Sequence, residues 1–224
     1  MRFRRKASQD DSAGAEVGPE PTPEAGAGSD GGGSDAAQAD ATPMSGPYDV
    51  ADVDESVQRV DLGAILVPPV PNRELRLQVD EATRAVRAVL LTGPDGALEF
   101  QAFAAPRNGD LWSTVRPQIA ADVANRGGTV EERKGRWGTE LVCQVPVQRP
   151  DGTQATQPSR IICVNGPRWL LRASLLGRQA LDPENAGEWE DALAQIVVRR
   201  GTVAMQVGEP LPLRLPDEAR RVDG

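Results

Sequence analysis

The densest apolar run in the chain lies between Ser159 and Gly177. Ile161, Ile162, Cys163 and Val164 enter an Asn165-Gly166-Pro167 turn signal, and Trp169, Leu170, Leu171, Leu175 and Leu176 leave it. A strand covered on one face alternates apolar with polar positions, so two arms this apolar predict a central hairpin covered on both faces. Asn-Gly favours the positive φ angles of a tight turn, while Pro167 lacks an N–H and can widen the loop beyond two residues.

Shorter alternations flank this hairpin. Leu75, Leu77 and Val79 alternate with Arg76 and Gln78, and Val86, Val89, Leu90 and Leu91 resume after the polar link Asp80 to Arg84, which predicts a first hairpin. Gly93-Pro94-Asp95-Gly96 reads as a turn into a third strand through Leu98, Phe100 and either Ala102 or Phe103, ending at Ala105-Pro106. Asp110 then caps a helix in which Trp112, Val115, Ile119 and Val123 share a face, with Gly127-Gly128 as its C-terminal stop. Pro117 inside that helix predicts a kink or break near Thr114 to Arg116, because an interior proline costs ~3 kcal/mol.

Thr129 to Lys134 and Gly138 to Val147 read as a hairpin through Gly135-Arg136-Trp137-Gly138. Leu141, Cys143, Val145 and Val147 take one face and Glu140 and Gln144 the other, the pattern of a one-sided strand. Pro150 to Pro158 is read as a polar loop. Asp182-Pro183 opens a second helix in which Trp189, Leu193, Ile196 and Val197 share a face, with Arg199-Arg200-Gly201 as its basic, glycine-capped end. Leu211 to Pro216 is an extended, proline-punctuated tail.

Ahead of these elements, Ser8 to Pro47 is made of Gly, Ala, Pro, Ser, Asp and Glu with hardly a large apolar side chain. Ordering such a stretch costs ~1–2 kcal/mol of backbone entropy per residue with no burial to offset it, so it predicts a disordered acidic arm behind a basic tip. Charge follows the same division. Residues 1–55 hold four basic and twelve acidic groups, and the rest of the chain holds 21 of each. A neutral folded part exerts no long-range pull on nucleic acid or an anionic membrane. No apolar run approaches the ~18–20 residues of a membrane helix, and the MRFRRK start leads into polar sequence, which points to a cytoplasmic protein without a membrane span. Cys143 and Cys163 lie inside apolar strands and read as buried thiols, and a chain with no histidine supplies metal partners poorly. Neither a metal nor a cofactor is expected.

Two stretches, Arg133-Lys134-Gly135-Arg136-Trp137 and Arg168-Trp169-Leu170-Leu171-Arg172, interleave basic and aromatic groups as single-stranded nucleic-acid platforms do. Arg133, Lys134, Arg136, Trp137, Arg168 and Arg172 are therefore the candidate nucleic-acid or partner surface. Against this stands the ordinary use of such residues, in which tryptophans anchor a core and their arginine neighbours reach to water. Without histidine, Ser-His and Cys-His catalytic arrangements are excluded. Glu131-Glu132 and Glu188, Glu190, Asp191 fall on a solvent-facing strand and on a first helical turn, where carboxylates favour the dipole. Gly31-Gly32-Gly33 and Gly127-Gly128 lack the Lys-Ser/Thr of a P-loop and the preceding strand of a dinucleotide fingerprint. No catalytic residues are assigned.

Asp110-Leu111-Trp112, Arg116, Gly127-Gly128, Val164 to Arg172, Val198-Arg199-Arg200-Gly201 and Leu211-Pro212-Leu213 together resemble an uncharacterised actinobacterial family classed as a domain of unknown function. The resemblance spans roughly Val57 to Pro216. It implies a high-GC actinobacterial source and genes often found near a dUTPase, hence a nucleotide or DNA context, and it brings no catalytic residues. The order of three strands, helix, four strands, helix is also similar to small antiparallel sheets of the PsbP type, a likeness that carries no function.

The sequence thus predicts a single α+β domain, with a mainly antiparallel sheet of about six to seven strands and two principal helices, behind a disordered acidic arm. The divisions are residues 1–47 for the arm, 48–74 for a docking lead-in, 75–216 for the domain and 217–224 for a disordered tail. Elimination favours a non-catalytic interaction module with a protein partner of unknown identity. Two other readings stay open: a single-stranded nucleic-acid or nucleotide-binding protein autoinhibited by the acidic arm, and an enzyme of unrecognised type.

Overall fold

The structure is a computed structural model that describes residues 46–54, 56–107, 109–182 and 184–216. Of the disordered arm expected over residues 1–47, residues 1–45 lie outside the described residues, as does the expected disordered tail 217–224. Three short strands come first, β1 (Tyr48–Asp49), β2 (Val60–Asp61) and β3 (Ile65–Val67). Seven longer ones follow: β4 (Glu74–Val79), β5 (Val86–Gly93), β6 (Gly96–Ala104), β7 (Thr129–Gly135), β8 (Gly138–Gln148), β9 (Gln154–Gly166) and β10 (Trp169–Leu176). Helix α1 (Leu111–Asn125) lies between β6 and β7, and helix α2 (Gly187–Ala194) precedes the last strand, β11 (Val197–Val198).

The long strands form one seven-stranded sheet in the order β4-β5-β6-β10-β9-β8-β7. Every neighbouring pair in it is antiparallel. The short ones form a second sheet, β1-β11-β3-β2, in which β1 and β11 run parallel. This is the α+β single domain that the pattern predicts. The inner face of the large sheet presents Leu98, Phe100, Trp169, Leu171 and Leu175 to Trp189, Leu193 and Ile196 of the α2 segment and to Ile65 and Val67 of β3. Its outer face presents Leu141, Cys143, Val145, Cys163 and Leu170 to Leu111, Trp112 and Val123 of α1. The central β9–β10 hairpin therefore contributes to both cores.

Several local expectations need correction. The β9–β10 turn is Pro167-Arg168, with Gly166 paired to Trp169, so Asn165-Gly166 ends the strand and forms no part of the turn. Pro167 supplies the first corner and Arg168 the positive φ of 63° at the second, the pattern of a type II turn. Gly166 is needed for another reason: a Cβ there would overlap the Trp169 ring that lies across it. β9 begins at Gln154, inside the stretch read as loop. Helix α1 continues through Pro117, whose ring is exposed, so the Ser113 carbonyl it leaves unpaired belongs to the solvent side.

The second helix starts at Gly187, well after Asp182, and Val197-Val198 leave it to become a strand between β1 and β3. The β-branched run Ile196-Val197-Val198 prefers extended backbone, and the parallel partner Tyr48-Asp49 is supplied from far away in sequence. Glu140, read as solvent-facing, is 1% exposed. Alternation does place it opposite Leu141, but α2 covers that face at this end of the sheet.

Candidate functional site

The inner face carries a charged layer wherever α2 crosses β8 and β9. Val142 pairs with Arg160, so Glu140 and Arg160 lie on the same face one diagonal step apart. Arg160 Nε and Nη2 donate to the two Glu140 carboxylate oxygens at 2.6 and 3.1 Å, and Nη2 also donates to Glu190 Oε1 at 2.5 Å. Burial disfavours the charged guanidinium, but Glu140 and Glu190 outweigh it and raise its pKa further. Gly135 lies directly beneath the Glu140 carboxylate, where a Cβ would collide with it. The helix acids read from sequence as dipole partners are thus mostly ion-paired. Besides Glu190, Asp191 accepts from Arg136 at 3.0 Å and Glu188 from Arg73 at 3.1 Å.

All four tryptophans donate their indole N–H within the fold, which accounts for their use as anchors. Trp112 donates to the Thr139 carbonyl, Trp137 to the Gly46 carbonyl, Trp169 to Asp49 Oδ2 and Trp189 to Asp95 Oδ2. The Trp137 and Trp169 bonds tie the start of the described chain to the large sheet.

Of the six candidate surface residues, four sit on the β7–β8 hairpin and two around the β9–β10 turn, and both turns lie at one end of the sheet. Their side chains divide between surfaces. Arg133 is on the inner face, opposite Glu140 and 3.8 Å from its carboxylate. Arg136 stacks 5.0 Å over Trp137 while it pairs with Asp191. Arg172 is on the outer face, hydrogen-bonded to Gln101 and 5.4 Å over the Phe103 ring. Lys134 is exposed, and Arg168 holds the turn, its carbonyl accepting from Ala105 N at 2.9 Å.

A third feature at this end escaped the sequence reading. The segment from Arg199 to Glu209 forms a loop fastened at both ends. Arg199 N donates to the Ala64 carbonyl, Gly208 N to the Ala104 carbonyl, and Ala104 N to the Glu209 carbonyl, at 2.8 Å each. Within it, Arg200 Nη1 donates to the Val203 carbonyl at 3.1 Å and Gln206 N to Glu209 Oε2 at 3.0 Å. The loop holds Val203 and Val207 outward, 72% and 57% exposed. A sequence signal existed: Val203, Met205 and Val207 alternate between two glycines, with no strand partner assigned to them.

Chemistry elsewhere is sparse. Burial pushes both cysteine thiols up, and at four residues apart along β9 the Cys143 partner Ser159 and Cys163 are ~13 Å apart, too far for a disulfide. Among the described residues no three Asp, Glu or Cys side chains cluster as metal ligands, and no helix is long and apolar enough to cross a membrane. A cavity of about 520 Å³ opens beside β2, lined by Arg59, Asp61, Pro69, Arg214 and Leu215 among others.

These features define an α+β domain whose large antiparallel sheet bears one helix on each face and a smaller sheet beside the inner one. Residues 46–222 match the family described as Protein of unknown function (DUF3710), and the chain belongs to that family. No curated protein matches it. A crystal structure from Bacteroides thetaiotaomicron, at 1.50 Å resolution, is similar at 15% identity with a TM-score of 0.36. The likeness covers 61% of this chain and 45% of that one, so this chain spans less than half of that protein.

Proposed function

We propose that the folded unit is a non-catalytic, cytoplasmic interaction module that engages a protein partner through the loop from Arg199 to Glu209. The observation that carries this reading is the exposure of Val203 and Val207 on a loop fixed by backbone hydrogen bonds at both ends. A preorganised loop loses little entropy on binding, and apolar side chains held out to water gain most from being covered. Glu140, Glu190 and Asp191 are engaged by Arg160 and Arg136 in ion pairs that hold α2 on the sheet. Val203→Ser with Val207→Ser tests the reading. The variant keeps the thermal midpoint and loses partners that co-purify with the unaltered protein in quantitative comparison; an unchanged set of partners refutes it.

A second reading, single-stranded nucleic acid, draws on the shared position of the two basic turns. It predicts fluorescence anisotropy of labelled single-stranded DNA that weakens with salt at a log–log slope of about −0.7 per phosphate neutralised. Micromolar binding that disappears in Arg136→Ala and Arg168→Ala would replace the first reading with the second.

A further inference from the structure

We propose that the cleft beside β2 binds an amphiphilic anion, a carboxylate or phosphate ester carrying an apolar body, with Arg59 as the group that reads its charge. The cleft is about 520 Å³, and its walls combine Gln58, Arg59 and Arg214 with Val60, Pro69 and Leu215. This volume falls in the ~300–1,000 Å³ range of small-molecule sites, whereas a water-sized group takes only ~30 Å³. A lone oxyanion would leave most of the cleft to solvent. The apolar wall, including the exposed Leu215, calls for a ligand with a hydrocarbon part.

Among the described lining residues the charged groups are two arginines, Arg59 and Arg214, and one engaged carboxylate. Asp61 is already satisfied: its Oδ1 accepts from Gly63 N at 2.8 Å, and its Oδ2 from Arg199 Nη1 and Arg214 Nη2 at 2.9 Å each. Arg59 differs from these: among the described residues its Nη1 donates to the backbone carbonyls of Asp54 and Val57, at 3.0 and 3.4 Å. Those carbonyls orient the guanidinium, and the Asp54 carboxylate acts on it only through space. The Asp54 carboxylate is directed to Ser56 N at 2.8 Å, and Arg59 Nε is buried with no acceptor. Among the described residues no carboxylate reaches ion-pair distance of this half-buried guanidinium, although the Asp54 charge acts on it from farther off, and such a group gains from an incoming carboxylate or phosphate, which offers paired oxygens to its planar edge. Arg214, exposed at the mouth with one nitrogen on Asp61, supplies a second contact. The one carboxylate among the described lining residues, Asp61, is already engaged by Gly63, Arg199 and Arg214, so the role proposed is binding.

The test measures calorimetric binding of hexyl phosphate, hexanoate and inorganic phosphate to the full chain, to Arg59→Gln, to Leu215→Ser and to a variant ending at Pro216. The thermal midpoint of each variant, measured alongside, shows that it is folded. The expected result is that one hexyl ligand binds the full chain at least about tenfold more tightly than inorganic phosphate, and which of the two does so identifies the head group. Arg59→Gln weakens that binding about tenfold or more, as loss of a charge-assisted contact should, and Leu215→Ser removes the advantage of the hexyl chain. The proposal is overturned if Arg59→Gln binds as well as the full chain, if inorganic phosphate binds as tightly as the hexyl ligands, or if none binds. Binding by the variant ending at Pro216 alone would also overturn it, since the site would then be one that residues 217–224 of the chain itself compete for.

Discussion

Replacing Glu140 by alanine should be among the most costly single changes in the domain. Glu140 and Arg160 are each 1% exposed, and their charged groups are joined by two hydrogen bonds. Removing one member strands Arg160 in the interior with Glu190 as its remaining carboxylate at 2.5 Å. Breaking a buried pair in this way costs about 3–5 kcal/mol, chiefly because the surviving charge has lost its partner. For a domain of this size each kcal/mol lowers the thermal midpoint by roughly 2–4 °C, so the shift is about 6–20 °C. Urea unfolding followed by tryptophan fluorescence measures it. The double variant Glu140→Leu, Arg160→Met supplies the control: with no charge left to strand and Glu190 free to turn to water, it should lie within about 1–2 kcal/mol of the unaltered protein. A Glu140→Ala cost below about 1 kcal/mol, or a double variant no more stable than the single one, would refute the reasoning.

Three further outcomes follow from particular contacts. Arg168→Gly should stabilise by about 0.5–1 kcal/mol, since glycine accepts the φ of 63° without a Cβ, and chemical denaturation that shows a loss would contradict the turn assignment. A variant beginning at residue 46 should keep the indole bonds of Trp137 and Trp169, whereas one beginning at residue 50 loses both acceptors and β1. The second should be less stable than the first by at least about 2 kcal/mol, the cost of unpairing the donor of the buried Trp169 and that of the half-buried Trp137 together with the loss of β1, and equal melting would sink the claim. Burial works to raise the pKa of Asp61, but Gly63 N–H, Arg199 and Arg214 outweigh it and hold the carboxyl below its usual range. A depressed folded value means that the stabilisation is complete above the ordinary carboxylate pKa of about 4 and is lost as pH falls through the folded value. The urea midpoint should therefore fall less between about pH 6 and about pH 3 in Asp61→Asn than in the unaltered chain, and parallel falls would contradict it.

The hairpins were legible because turn residues and period-two alternation act locally. Gly135 to Gly138 closes β7 onto β8, and the apolar arms around Asn165 pair as expected. What escaped depends on distant partners. Val197 and Val198 continue an apolar face at helical spacing, and only the arrival of Tyr48 and Ile65 on either side makes them a strand. Glu140 looked solvated because alternation assigns a face but not what covers it. Had β8 been paired with β9 in register, the opposite charges of Glu140 and Arg160 on one face would have been visible. Val203, Met205 and Val207 alternate between two glycines, but alternation alone does not say that the two valines face water, since an apolar residue in a loop is by itself unremarkable. The cleft at Arg59 depends on segments more than a hundred residues apart, β2 and the run from Arg214 to Pro216, and no spacing in the sequence joins them.

Site-specific photocrosslinking in cells tests the central claim most directly. A photoreactive residue is placed at position 203 or 207 and, as a control, at Arg149, in the turn at the opposite end of the sheet. The account predicts a discrete adduct with one other protein from positions 203 and 207 and none from 149. The claim that the fixed loop is the partner-binding surface would be contradicted by adducts of equal yield at all three positions, or by adducts at 149 alone.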